Sequence, residues 1–168
     1  PFHKKLVSQD FETAISVLKS GDFRDDSGIL IEAGNFSALF AVDSNFIDFW
    51  RFPKSLTLIA NSFAGGASGF PICFDNKTEE EKEKLLRRNK IAVLETNRKM
   101  LKKSAALFFL PYAGNFSEKA ERDKNVRIAN QKNSIEDYLS LSSKLAVSLL
   151  DTRTADFFEF YGQTLVNQ

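Results

Sequence analysis

With 168 residues, 43% of them hydrophobic, the chain is long enough for one substantial core and reads as one domain, or part of one, over 1–168. Its 23 basic and 22 acidic residues nearly cancel, which excludes a global field drawing it to nucleic acid or to an anionic membrane surface. No apolar run approaches the roughly 20 residues that span a bilayer. A lone cysteine, Cys73, forms no intrachain disulfide, so a soluble protein of a reducing compartment, the cytoplasm, is expected.

The start Pro1-Phe2-His3-Lys4-Lys5 lacks the apolar core of a signal peptide and does not begin with Met, so a further N-terminal portion is expected. Ser8 is placed to cap a helix through about Ser20, with Phe11, Ile15 and Leu18 on one face and Gly21 available to end it. Gly28 to Ala33 and Phe36 to Val42 are β-prone runs joined by Gly34-Asn35, a hairpin signal because both residues tolerate positive φ. Asp43 follows the second of these strands. Ser55 to Ala60 reads as another strand, running into a loop with Gly65, Gly66 and Gly69, where backbone approaches something closely.

Thr78 and Glu81 make a capping box for a helix to about Ser104, whose Leu86, Val93, Met100, Leu94 and Leu101 form one apolar stripe against a sheet. Ala105 to Leu110 reads as a short buried strand ending in a second loop, Pro111 to Asn115. A charged stretch to Asn133 precedes a helix from Ser134 to about Lys144, and Leu145 to Leu150 and Phe157 to Phe160 read as closing strands. Alternating strands and helices favour a mixed α/β sandwich, with the 17 phenylalanines making an aromatic and aliphatic core.

His3 is the only histidine, and one His with one Cys cannot make a His- or Cys-rich zinc site or a Rieske cluster. His3 reads as a surface residue, and Cys73, between Ile72 and Phe74, as a small buried hydrophobe. The glycine loop lacks the Gly-Lys-Ser/Thr ending of a P-loop and reads either as a tight turn or as a ligand loop. Asp43 is either a turn cap or a metal ligand. The cations Lys119, Arg122, Lys124, Arg127 and Lys132 belong to a solvated face or to a lid meeting an anionic substrate, with Tyr112 and Asn115 at the same mouth.

Three ordered blocks carry a resemblance: Phe63 to Pro71 with its glycines, Pro111-Tyr112-Ala113-Gly114-Asn115-Phe116, and Asp123-Lys124 followed by Asn130-Gln131-Lys132-Asn133. Together they resemble the CMP-N-acetylneuraminate hydroxylase group, from about Gly21 to the C-terminus. The resemblance implies an α/β chain that is the C-terminal half of a metallo-β-lactamase-like αββα fold. It implies a metal ion, iron or zinc, with a site incomplete in this chain. Leu39-Phe40-Ala41-Val42-Asp43 is similar to the strand leading to the metal-bridging aspartate, so Asp43 is the metal ligand carried over. The implied substrate-binding residues are Gly65, Gly66, Ser68, Gly69, Tyr112, Asn115, Lys124, Asn130 and Lys132.

Departures accompany the resemblance. The His-x-His-x-Asp-His motif of the fold is absent, no histidine stands near Pro111 to Ala113, and Ser62 stands where the group is expected to have an aspartate. The implied function is part of a metal-dependent monooxygenase or hydrolase acting on a small anionic sugar or nucleotide-linked substrate. The implied partners are a missing N-terminal half or a second chain completing the sandwich, and a Rieske domain or other electron donor. The alternative is a non-catalytic ligand-binding or assembly module without a metal site. Half a sandwich is also expected to leave an apolar sheet face exposed.

Overall fold

The computed structural model describes residues 2–9, 12–22, 25–42, 44, 54–64, 70–114, 119–129, 132–153 and 157–168. Nine strands are assigned among them: β1 (Lys5–Val7), β2 (Thr13–Lys19), β3 (Ser27–Ala33), β4 (Phe36–Phe40), β5 (Leu58–Ser62), β6 (Phe108–Ala113), β7 (Ser148–Leu149), β8 (Glu159–Tyr161) and β9 (Thr164–Asn167). The helices are α1 (Glu79–Ser104), α2 (Lys124–Ala129) with a 3-10 turn (Glu121–Asp123) before it, and α3 (Ile135–Leu145). Strands β1 to β7 form one sheet in sequence order, while β8 and β9 pair as a separate hairpin. Pairing is antiparallel from β1 to β4 and parallel from β4 to β7.

The helix expected from Ser8 to Ser20 is a strand. Its segment alternates, with Ala14, Ser16, Leu18 and Ser20 buried on one side and Ile15 and Lys19 exposed on the other. Three β-branched residues, Thr13, Ile15 and Val17, weaken a helix and suit the pleat. The seven-residue antiparallel register with β3, from Thr13↔Ala33 to Lys19↔Ser27, supplies the backbone partners a lone helix would have found internally.

The Gly34-Asn35 hairpin is as expected, with Gly34 at φ 54° between β3 and β4. The next strand begins later than expected, at Leu58, because Ser55 sits at φ 59° and turns the chain. The capping box forms as expected: Thr78 accepts from the Glu81 amide while the Glu81 carboxylate accepts from the Thr78 amide at 2.8 Å. At its other end Ala105 closes α1 in the left-handed region, so the strand expected from Ala105 starts at Phe108.

That strand also runs further, through Pro111 and Tyr112 to Ala113, where a loop was expected. Proline is tolerated there because the β5–β6 register shifts between Asn61 and Ser62, and β7 stops at Leu149, leaving no strand beside Pro111 on the other side among the described residues. Ser134 caps α3 with Asp137 as expected. Of the span Leu145 to Leu150 only Ser148–Leu149 is strand, since Leu145 still belongs to α3. The last expected strand is Glu159–Tyr161, and its partner β9 has no counterpart among the elements expected from sequence.

Side chains of the sheet divide into two sets by strand alternation. One cross-strand row, Ser16, Leu30, Leu39, Ile59, Phe109 and Leu149, faces α1 and α3, where Met100, Leu101, Ile135 and Tyr138 close the main core. Leu39, Ile59 and Phe109 are fully buried, each contributing about 1.5–3 kcal/mol. The opposite row runs Leu6, Ile15, Ile31, Ala38, Leu58 and Phe108.

The β8–β9 hairpin covers only the β4–β6 part of that second face, with Phe160 5.3 Å from Phe36 and 5.2 Å from Phe108 between ring centroids. Over β1 to β3 the face is open, and Leu6, Ile15 and Ile29 are exposed. The expectation of an exposed apolar sheet face thus holds for one end of it. Among the described residues no helix is long and apolar enough to cross a membrane.

Candidate functional site

Because β4, β5 and β6 run parallel, their C-terminal ends leave the sheet on the same edge. Open α/β sheets bind ligands at such an edge, where loops depart from the last ordered carbonyls. Here the three ends are tied together. Ala41 donates to the Ala60 carbonyl at 2.9 Å, the Ser62 hydroxyl donates to the Val42 carbonyl at 2.5 Å, and the Phe63 amide donates to the Ala113 carbonyl at 2.6 Å.

Gly114 completes the junction at φ 90°. A Cβ there would lie 2.6 Å from the Ala64 carbonyl oxygen, so only glycine lets β6 pass this close to β5. Ser62, where the resemblance leads one to expect an aspartate, is therefore a strand clamp whose hydroxyl is used within the sheet.

Behind the junction lies a buried polar network that the expectations from sequence did not include. Asn97 of α1 donates to the Ser62 carbonyl at 3.1 Å and to the Tyr138 hydroxyl at 3.1 Å, and accepts from the Asn61 side chain at 2.6 Å. Tyr138 of α3 donates to the Phe63 carbonyl at 2.7 Å. Burial pushes the Tyr138 hydroxyl up to about 12, with the Asn97 and Asn133 hydrogen bonds working against that rise. It therefore stays protonated and available as a donor at neutral pH. The signal was present: Asn97 interrupts the apolar stripe of α1 midway between Val93 and Leu101, and a polar residue there needs buried partners.

The sequence-predicted site residues fall as follows. Asp43, Gly65, Gly66, Ser68, Gly69, Asn115 and Asn130 lie outside the described residues, the first six adjoining the junction in sequence. Tyr112 is on β6, exposed, and meets Phe40 edge-on at 6.4 Å, so it opens on the sheet face away from α1 and α3. Lys124 begins α2 and pairs with Glu121 at 3.8 Å, and Lys132 is half-buried before α3. The end of α2 lines a different feature, a cleft of about 830 Å3 whose walls include Ile72, Leu86, Arg87, Lys90, Ile128 and Ala129. Tyr112 and this cleft are on opposite faces of the sheet.

The described residues do not fit an iron or zinc centre by themselves, since no group of three or more His, Cys, Asp or Glu lies together among them. His3 is half-buried at the far edge, its amide bonded to the Val17 carbonyl at 2.6 Å. Cys73, expected in the core, is exposed: it sits in the turn between Phe70 and α1, where the chain has left the sheet and its apolar neighbours cannot enclose it.

The chain matches no protein-family profile. It is similar to the mouse cytidine monophosphate-N-acetylneuraminic acid hydroxylase, with 32% identity over 110 residues, 64% of this chain and 19% of that one. The chain thus spans about a fifth of the length of the curated relatives it matches. Among solved structures it is similar to CmlA β-hydroxylase, with a TM-score of 0.50 and 15% identity over 88% of this chain and 31% of that one. It is also similar to the metallo-β-lactamase fold protein YhfI from Bacillus subtilis, with a TM-score of 0.44 and 12% identity over 88% of this chain and 48% of that one. The expected resemblance is borne out in sequence, and the expected mixed α/β architecture in the sheet and helices.

Proposed function

We propose that this chain, similar to the CMP-N-acetylneuraminate hydroxylase-like group and folded as part of a metallo-β-lactamase-type domain, forms one wall of an enzyme site for an anionic sugar or nucleotide-linked substrate. The observation that carries the proposal is the junction of β4, β5 and β6. It brings Val42, Ser62–Ala64 and Ala113–Gly114 within hydrogen-bonding or van der Waals reach, at the points where Asp43, the glycine loop and Asn115 follow. Two of the three blocks of resemblance therefore leave the fold side by side.

In this reading Gly65, Gly66, Ser68 and Gly69 offer backbone amides to an anion, Tyr112 walls the open side, and Asn115 and Asn130 contribute amide side chains. Lys124 and Lys132 belong to the segment that meets the substrate's negative charge. Asp43 is one ligand of a metal ion, and the other ligands come from residues outside these 168. The reaction is the hydroxylation named for the curated relatives, with electrons from a Rieske domain or another donor. The protein works in the cytoplasm, and the apolar face left open over β1 to β3 is covered by the remaining half of the sandwich or by a partner chain.

The test is metal analysis of the complete native protein, with calorimetric titration of cytidine 5′-monophosphate. Iron or zinc at near-unit stoichiometry, lost in Asp43→Ala, together with nucleotide binding, supports the proposal. A complete protein that binds neither metal nor nucleotide overturns it and leaves the assembly module. Turnover without an electron donor would replace hydroxylation by hydrolysis.

A further inference from the structure

We infer that Tyr138 and Asn97 are positioning residues for the candidate site: they hold the carbonyl end of β5 from behind and thereby set where the glycine loop begins. Beyond Asn61 the β5–β6 register shifts, so the strand end leaves regular pairing just where two consecutive carbonyls, Ser62 and Phe63, need donors. Both donors come from the helical layer, Asn97 at 3.1 Å and Tyr138 at 2.7 Å. The two side chains are also bonded to each other, so α1 and α3 grip the strand end as a unit.

The grip is rigid for a physical reason. Tyr138 is fully buried, with its ring 5.7 Å from that of Phe63 and 5.4 Å from that of Phe109, and Asn97 is held again by Asn61. Each member of a buried network strengthens the others, and a lost donor leaves a carbonyl unsatisfied in a low-dielectric interior. The same strand end holds Val42 through the Ser62 hydroxyl and Ala113 through the Phe63 amide. A shift of Ser62 or Phe63 is therefore passed to all three strand ends. The functional part of the inference rests on the proposed ligand site, while its mechanical part does not.

The experiment is site-resolved amide hydrogen exchange on the full chain, comparing wild type, Tyr138→Phe, and a control, Leu18→Ala, in the same core but on β2. Exchange is expressed relative to each protein's global unfolding. Tyr138→Phe keeps the ring and removes only the hydroxyl. It is expected to speed exchange of the Phe63 amide at least tenfold relative to wild type, with no such change in the control. Should that variant fold poorly, Asn97→Ala is the second variant: it removes the donor to the Ser62 carbonyl, which shares a peptide group with the Phe63 amide, and leaves the Tyr138 hydroxyl on the Phe63 carbonyl.

In either variant, Phe63 exchange that matches the control overturns the inference. Cytidine 5′-monophosphate titrated into the same proteins separates the two proposals. Affinity reduced at least tenfold in the variants but not in the control supports positioning of the site. Unchanged affinity in the variants overturns its functional part. A wild type that does not bind the nucleotide counts against the proposed function, while the exchange result still decides whether the clamp exists.

Discussion

Replacing Gly114 by alanine tests the junction at its tightest point. An added Cβ meets three backbone atoms of Ala64, the carbonyl oxygen at 2.6 Å, the nitrogen at 3.1 Å and the carbonyl carbon at 3.4 Å, none of which can rotate away. At φ 90° the residue is also outside the range that L side chains readily adopt. The conformational strain costs about 1–2 kcal/mol, and the overpacking about 1–3 kcal/mol. Reduced freedom of the unfolded chain offsets about 0.4–1 kcal/mol of this, so a net loss of about 2–4 kcal/mol is expected.

Gly34→Ala is the matched control, because Gly34 has φ 54° and an added methyl there would meet nothing within 4 Å. It carries the backbone strain alone and is expected to lose about 1 kcal/mol. Urea unfolding followed by circular dichroism measures both. With a slope of about 2 kcal/mol/M, Gly114→Ala moves the midpoint down by about 1–2 M and Gly34→Ala by about 0.5 M. Equal midpoint shifts would refute the close approach of β6 to β5 and with it the account of the junction.

The Tyr138 hydroxyl has a folded-state pKa raised from 10.0 to about 12, so the folded state holds its proton more tightly than the unfolded state does. That stability is fully present below pH 10 and falls as pH rises from about 10 to 12, by roughly 2–3 kcal/mol. Urea midpoints between pH 9 and 12 should show this slope in wild type and much less of it in Tyr138→Phe; identical slopes would contradict it. Thr78→Ala removes the cap of α1 and should cost about 1 kcal/mol, read as a lower thermal midpoint, with no change expected for Thr152→Ala in an exposed turn. Phe160→Ala uncovers Phe36 and Phe108, and a half-buried ring of this kind should cost about 1.5–3 kcal/mol while raising binding of an apolar dye. Unaltered dye fluorescence would show that the hairpin does not cover that face.

Local sequence was legible where a segment's partners lie within itself. The capping boxes at Thr78 and Ser134 involve residues three apart, and the Gly34 turn joins strands adjacent in the chain, so spacing alone announced them. The segment from Ser8 to Ser20 misled because Ile15 and Leu18 satisfy a helical period while Ala14, Ser16, Leu18 and Ser20 satisfy a strand period. Only the register with β3 decides between them. Cys73 misled for a similar reason, since apolar neighbours in sequence say nothing about which way a turn faces.

For the candidate site, the sequence announced the loop-bearing blocks, the scarcity of histidine and the family resemblance, because these depend on residue identity and order. It did not announce that Ser62 clamps Val42, that Gly114 abuts Ala64, or that Asn97 and Tyr138 hold the carbonyls of Ser62, the last residue of β5, and of Phe63 just after it. Those contacts join residues 20 to 75 positions apart. Composition and period can specify which faces are apolar, but the pairing of particular polar atoms is settled only when parallel strands align and two helices pack behind them, because a hydrogen bond depends on distances of a few tenths of an ångström that no local pattern encodes.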